Sequence, residues 1–205
     1  LTIYYSHGNY GVIINTDVKD VGENRVSVNV SIKEGRPAKI RVINVVGNHA
    51  FSESDLQDVF KLKVENFWSF WGSDDEYARE KLVGDLESLR SFYMDQGYAD
   101  FSIDSTQVAI SPDKNNVYIT VNITEGDIYK VKGVKLAGEF VVPEEALKKY
   151  IIVKPGDTFS LKRATTTSDL IRKRLGEDGY TFAQVNSTPD IDREHKTVSI
   201  TFFID

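Results

Sequence analysis

The sequence contains no cysteine. A disulfide framework and a thiolate-ligated metal site are both excluded. No run of apolar residues comes near the roughly 18 that a helix needs to cross a bilayer. Histidine is scarce: His7, His49 and His195 are the only three. Each lies beside a predicted turn in a different part of the chain, so they read as solvated turn residues rather than one metal or catalytic centre. The chemical signatures of catalysis are missing too. There is no G-x-S-x-G elbow, no G-x-G-x-x-G and no G-x-x-x-x-G-K-[ST], hence no nucleophile turn and no phosphate cradle. No cofactor is expected, and the chain is not expected to be an enzyme. Positive charge is in deficit, with 25 Lys and Arg against 31 Asp and Glu and a net charge of −6. Such a chain repels phosphate backbones and gains nothing from counterion release, so nucleic acid is not an expected partner. The sequence opens on Leu1 rather than Met and is read as an excised piece of a longer protein.

What is present is repetition. Val26, Val28, Val30 and Ile32 form one alternating strand, Val117, Ile119, Val121 and Ile123 a second, and Val198, Ile200, Phe202 and Ile204 a third. Their starts lie 91 and 81 residues apart, which marks tandem small domains rather than a short-period solenoid. Around the second strand, Ala38 to Val46 alternates and stops at Gly47-Asn48. Ser52 with Asp55 has the pattern of a capping box that opens a short helix. Ala78, Leu82, Leu86, Leu89, Phe92 and Tyr93 form the stripe of a longer helix over 75–96, which Gly97 ends. A strand over 98–110 and a turn at Ser111-Pro112-Asp113 then lead back into Val117 to Thr124. Residues 129–204 repeat the plan, with the long helix at 161–177 and Gly179-Tyr180 standing where Gly97-Tyr98 stands. The order strand, helix, helix, strand, strand predicts an α+β sandwich, a three-stranded mixed sheet covered by two helices in each module. Residues 1–35 supply only the last part of a third copy. Its hairpin is expected to be marginal alone and to rest on a neighbour or pair with a second copy as a homodimer.

Two features are candidates for binding. The strand from Phe101 to Ile110 changes phase: Phe101 and Ile103 alternate together, Val108 and Ile110 are out of step, and Ser105-Thr106-Gln107 lie between. A phase break suggests a bulge at a sheet edge, where an unpaired ladder accepts another chain. The second is the run Phe67-Trp68-Ser69-Phe70-Trp71, an insertion into the common plan. Trp68 and Trp71 serve either as core packing or as partner anchors.

Val46-Gly47-Asn48-His49-Ala50-Phe51, the run from Gly97-Tyr98-Ala99-Asp100 to Val108, and Asn122-Ile123-Thr124-Glu125-Gly126-Asp127 resemble the periplasmic POTRA repeats of the BamA family of bacterial outer-membrane β-barrel assembly factors. On that resemblance residues 1–35 are the end of a second-repeat-like POTRA domain, 36–126 a third-repeat-like domain and 127–205 a fourth-repeat-like domain. It implies a β-α-α-β-β fold with the last strand central and the second strand at an edge. It also implies a location on the periplasmic face of the outer membrane, ahead of a membrane β-barrel not present in this sequence. The implied partners are a BamB-like β-propeller lipoprotein and unfolded outer-membrane protein clients. The implied lipoprotein-docking positions are Asp104, Val108 and Ile110 on the second strand, with Leu62 and Lys63 after the first helix. The POTRA region of a two-partner-secretion or autotransporter-assembly transporter is the alternative reading.

Overall fold

The computed structural model describes residues 3–4, 9, 11–22, 25–35, 38–60 and 75–205. Twelve elements follow one another among them: β1 (Ile13–Gly22), β2 (Arg25–Lys33), β3 (Lys39–Val46), α1 (Glu53–Gln57), α2 (Asp75–Asp95), β4 (Ser102–Ile110), β5 (Asn116–Thr124), β6 (Lys130–Gly138), α3 (Glu144–Lys148), α4 (Leu161–Glu177), β7 (Val185–Asp192) and β8 (Thr197–Ile204). They make a two-stranded sheet β1-β2 and two three-stranded sheets ordered β3-β5-β4 and β6-β8-β7. In each three-stranded sheet the last strand in sequence is central. It runs parallel to the first, β5 to β3 and β8 to β6. A parallel pair cannot be joined by a tight turn. The two helices supply the crossover, and the α+β mixed-sheet architecture follows.

By packing, the chain divides into two compact units, one of 1–46, 51–87 and 104–122 and the other of 47–50, 88–103 and 123–205. In the first, Ile43 and Val45 of β3, Ile119 and Val121 of β5, and Leu56 and Phe60 at the short helix are all buried. The capping box expected at α1 is formed. Ser52 Oγ accepts the Asp55 N–H, and the Asp55 carboxylate accepts the Ser52 N–H at 3.1 Å. Strands β1 and β2 pair antiparallel from Ile13↔Lys33 to Gly22↔Arg25. Val18, Val26, Val28 and Val30 on this hairpin are each at least half exposed.

In the second unit, alternation reads directly as burial. Val198, Ile200, Phe202 and Ile204 of β8 are all inside. Helix α4 buries Ala164, Thr167, Ser168, Ile171 and Leu175 at three- and four-residue spacing. Full burial of a side chain such as Leu175 contributes about 2 kcal/mol. The start of the strand read over 98–110 differs in the structure, and the second module matches it. Tyr98 to Phe101 and Phe182 to Gln184 lie outside the strands. The reason is local: the Tyr98 and Tyr180 N–H groups turn back to the carbonyls of Tyr93 and Leu175 and close the helix ends. Among the described residues no helix is long and apolar enough to cross a membrane.

Candidate functional site

Strand β4 is held at both ends. At its start Phe101 is 3% exposed and stacks on Tyr93 with ring centroids 4.4 Å apart. Phe101, one of the candidate binding residues on this strand, is therefore an interior anchor. Tyr93 is wholly buried, and its hydroxyl donates to Glu125 Oε1 at 2.8 Å. Burial, then that bond and the Glu125 charge, push the Tyr93 phenol far above its usual range. The same carboxylate accepts the His49 N–H at 2.9 Å and the Ala50 N–H at 3.1 Å. Glu125 thus ties the turn after β3 to the end of α2, which explains why Gly47-Asn48-His49-Ala50 and Glu125-Gly126 occur together. Gly47 has φ of +100°, and a Cβ there would lie 2.3 Å from the Ile123 carbonyl oxygen, so only glycine fits.

At the other end, Ser111 to Asn116 form the hairpin tip. The Ser111 N–H donates to the Asn116 carbonyl at 2.9 Å, and the Asn116 N–H returns to Ser111 Oγ at 3.0 Å. Ser111 Oγ also donates to Asp113, which with Asn115 holds that carboxyl below its usual range. Lys114 takes φ of +58° to complete the tip.

Between these anchors β4 is an edge strand. Its inner side bonds β5, and among the described residues no strand lies beyond its outer side. The Ser111–Asn116 link and the bond from Asn122 Nδ2 to Ser105 Oγ at 2.9 Å share one antiparallel register. Any change of phase therefore falls before Ser105. That register puts Val108 opposite Ile119 and Ile110 opposite Val117. It also directs the N–H groups of Thr106, Val108 and Ile110 outward, because Ser111 points inward and alternate residues reverse. Ile119 is 3% exposed, whereas Val108 is 56% and Ile110 41% exposed. The sheet's apolar face runs out to the edge and is left uncovered there.

Ile103 is half-buried at the start of the strand, and Asp104 and Ser105 are exposed. The strand thus brings Ile103, Asp104, Ser105, Val108 and Ile110 onto one ribbon. Leu62, Lys63, Trp68 and Trp71 lie outside the described residues. His49 contributes its backbone to the Glu125 clasp, and His195 pairs with Asp192 at 2.9 Å. Among the described residues no three His, Asp or Glu side chains gather as a metal site. Sequence reasoning did not single out Glu125 and Asp100 as structural clasps. Asp100 accepts the Tyr129 hydroxyl at 2.9 Å and the Asp127 N–H at 3.3 Å. The signal for Glu125 was the repeated Glu-Gly, at Glu34-Gly35 and Glu125-Gly126, whereas Asp100 has no matching carboxylate in the second module.

Comparison with known proteins agrees with this geometry. The POTRA family, described as a surface antigen variable number repeat, matches residues 38–126 and 129–205. The chain is similar to the outer membrane protein assembly factor BamA of Neisseria meningitidis serogroup B, 28% identical over 203 residues, covering 98% of this chain and 26% of that protein. It is 31% identical over 182 residues to BamA of Buchnera aphidicola, covering 89% of this chain and 30% of that one. The chain therefore spans less than a third of the length of these relatives. Among solved structures, Haemophilus influenzae BamA POTRA3-5 superposes with a TM-score of 0.69 at 29% identity, covering 82% of this chain and 66% of that one.

Proposed function

The chain belongs to the POTRA family, and from that membership we propose that it is a non-catalytic periplasmic scaffold segment of an outer-membrane protein assembly factor. In this role it docks an accessory β-propeller lipoprotein and receives unfolded β-barrel clients along β4. The observation that carries the reading is the open edge of β4, with outward N–H groups at Thr106, Val108 and Ile110 and apolar side chains exposed at Val108 and Ile110. Edge pairing uses backbone groups that every sequence has, which suits clients of varied sequence. The exposed valine and isoleucine add the side-chain contact that favours one folded partner over others.

The test is titration calorimetry of the purified lipoprotein against this chain and against a Val108→Glu, Ile110→Glu variant. Both residues lie on the surface, so the variant is expected to keep its melting temperature and lose binding. Equal affinity of the two proteins would overturn the assignment.

A further inference from the structure

Strand β6 is an edge of the second three-stranded sheet, and only the first part of that edge is covered. There a short strap, residues 156–159, pairs with it antiparallel. The Val131 N–H donates to the Asp157 carbonyl at 2.8 Å, and the Phe159 N–H donates to the Tyr129 carbonyl at 3.0 Å. Lys130 and Thr158 stand opposite each other between these bonds. The strap alternates to suit the two faces of the sheet. Thr158 accepts Lys130 Nζ at 2.8 Å on the exposed face, whereas Phe159 is 1% exposed and joins the core that holds Tyr129.

The strap begins at a turn, in which the Asp157 N–H bonds the Lys154 carbonyl at 3.1 Å, and β6 continues beyond it. The register with β8 shifts between Val131 and Gly133. Such a bulge adds one residue and exchanges the inward and outward positions that follow. Before it the Lys130 N–H points inward, to the Lys196 carbonyl; after it the Glu139 N–H points inward, to that of Ile204. Counting back from Glu139 in twos, the N–H and C=O groups of Val134 and Leu136 point outward. Among the described residues no strand lies beyond them. Their side chains stand opposite the buried Ile200 and Phe202 and pack on the same core. Lys135, between them, is on the other face and exposed. Lys132 pairs with Asp192 at 3.8 Å, but among the described residues Lys135 has no carboxylate partner.

We propose that the open half of β6, Val134 to Gly138, accepts an extended segment of another protein that runs antiparallel to it and alternates apolar with acidic residues. The strap supplies the pattern and Lys135 supplies the charge. Residues opposite each other in an antiparallel pair present their side chains on one face. An apolar residue opposite Val134 or Leu136 therefore lies over the core and uses its own N–H in the ladder, as Phe159 does at Tyr129. The residue between faces Lys135, as Thr158 faces Lys130. An edge lysine turns away strands that bring no counter-charge; one that brings a carboxylate is admitted, and one that brings a second cation is repelled. The site is separate from β4, so the failure of either role leaves the other standing.

The test is a fluorescence-polarisation titration with a labelled, end-blocked hexapeptide of alternating valine and glutamate, set against its valine–lysine counterpart. The host is the chain carrying Val108→Glu and Ile110→Glu, which removes the contribution of β4. We expect the glutamate peptide to bind at least about threefold more tightly, as the exchange of a repulsive exposed pair for an attractive one implies. Lys135→Glu alters an exposed side chain, so it should leave the melting temperature unchanged and reverse the order of the two peptides. Methylating the valine amides of the glutamate peptide should abolish binding, because those N–H groups face β6, while methylating its glutamate amides should not. Absence of binding at millimolar peptide would overturn the site. A preference that survives Lys135→Glu would overturn the lysine as its selector, and equal loss from the two methylations would overturn the antiparallel register. Sedimentation of the chain alone as a dimer that the peptide disperses would make a second copy the occupant and overturn the assignment to another protein.

Discussion

Replacing Glu125 by alanine removes one carboxylate that serves three donors, the Tyr93 hydroxyl and the backbone N–H groups of His49 and Ala50. The hydroxyl is the costly one. Tyr93 is 0% exposed, and a buried group stripped of its acceptor loses about 1–3 kcal/mol. The two N–H groups have access to water and should cost about 0.5–1 kcal/mol each. The expected loss for Glu125→Ala is therefore about 3 kcal/mol, a large share of the stability of a small domain. Tyr93→Phe deletes the hydroxyl but leaves the carboxylate its two backbone donors, so its cost should be about 1–2 kcal/mol. In the double variant no hydroxyl is left unpartnered. Its loss should fall short of the sum of the single losses by about 1–2 kcal/mol. Urea unfolding followed by circular dichroism measures all four proteins, with an unchanged m value verifying that the same surface unfolds in each. Additivity within about 0.3 kcal/mol would refute the clasp. A second arm uses pH. Burial, then the Glu125 bond and charge, raise the Tyr93 phenol. A raised folded-state value means full stability below the unfolded tyrosine value of about 10 and progressive loss as pH climbs above it. Tyr93→Phe should lack that component of the alkaline loss.

Further outcomes follow from other positions. Thr106→Pro removes an outward N–H of β4 without touching its bonds to β5 or the side chains of Val108 and Ile110. It should weaken binding of an extended peptide or the lipoprotein in calorimetry while circular dichroism stays native. Gly84 lies within α2, and an alanine methyl there would have nothing within 4 Å, so Gly84→Ala should raise stability by about 0.5–1 kcal/mol in urea titration. Asp157 is held below its usual carboxylate value by the Lys154 N–H first and by the Arg163 guanidinium. Its contribution is present above the unfolded value of about 4 and is lost as pH falls through the lower folded one. Asp157→Ala should therefore lower the melting temperature at neutral pH, and the difference should shrink toward zero in acid.

The parts of this fold that were legible in the sequence are those decided by neighbours in the chain. Alternation marked β5 and β8 because every second side chain faces a core, and Ser52 with Asp55 marked a helix start because a capping box spans three residues. Tyr98 to Phe101 reads as strand because its apolar spacing is real, but its N–H groups bond Tyr93, Gly97 and Tyr98 in a turn rather than β5. The same cause misplaced Phe101. Its alternation with Ile103 is visible in the sequence, but its stacking on Tyr93 depends on how a helix end meets a strand start. Regular alternation could not give the edge position of β4; the break in it at Ser105-Thr106-Gln107 only suggested one. Pairing order is set by the parallel union of β3 with β5, a contact between segments more than seventy residues apart; the phase break in the strand and the family resemblance pointed to the edge beforehand.

Two strands in this chain end a three-stranded sheet on the hairpin side, β4 and β7, and they are not equivalent. Just before β7 the Gln184 N–H and the Asp205 carbonyl bond each other, as do the Asp205 N–H and the Gln184 carbonyl, at 2.8 and 3.0 Å. Even-numbered N–H groups of β7 therefore point toward β8, and odd-numbered ones point outward. Pro189 is odd, so it sits where an outward donor belongs and removes it at no cost to the sheet. Asp190 and Asp192 follow it with negative charge. Such an edge resists a fourth strand, as edges protected by proline and charge do. On β4 the corresponding stretch from Thr106 to Ile110 has no proline, no charged side chain and two exposed branched apolar residues. If open edges were simply the residue of building three-stranded modules, both would look alike. One is blocked and the other left apolar and open, and that contrast within one chain is the reason to propose β4 rather than β7 for recruitment.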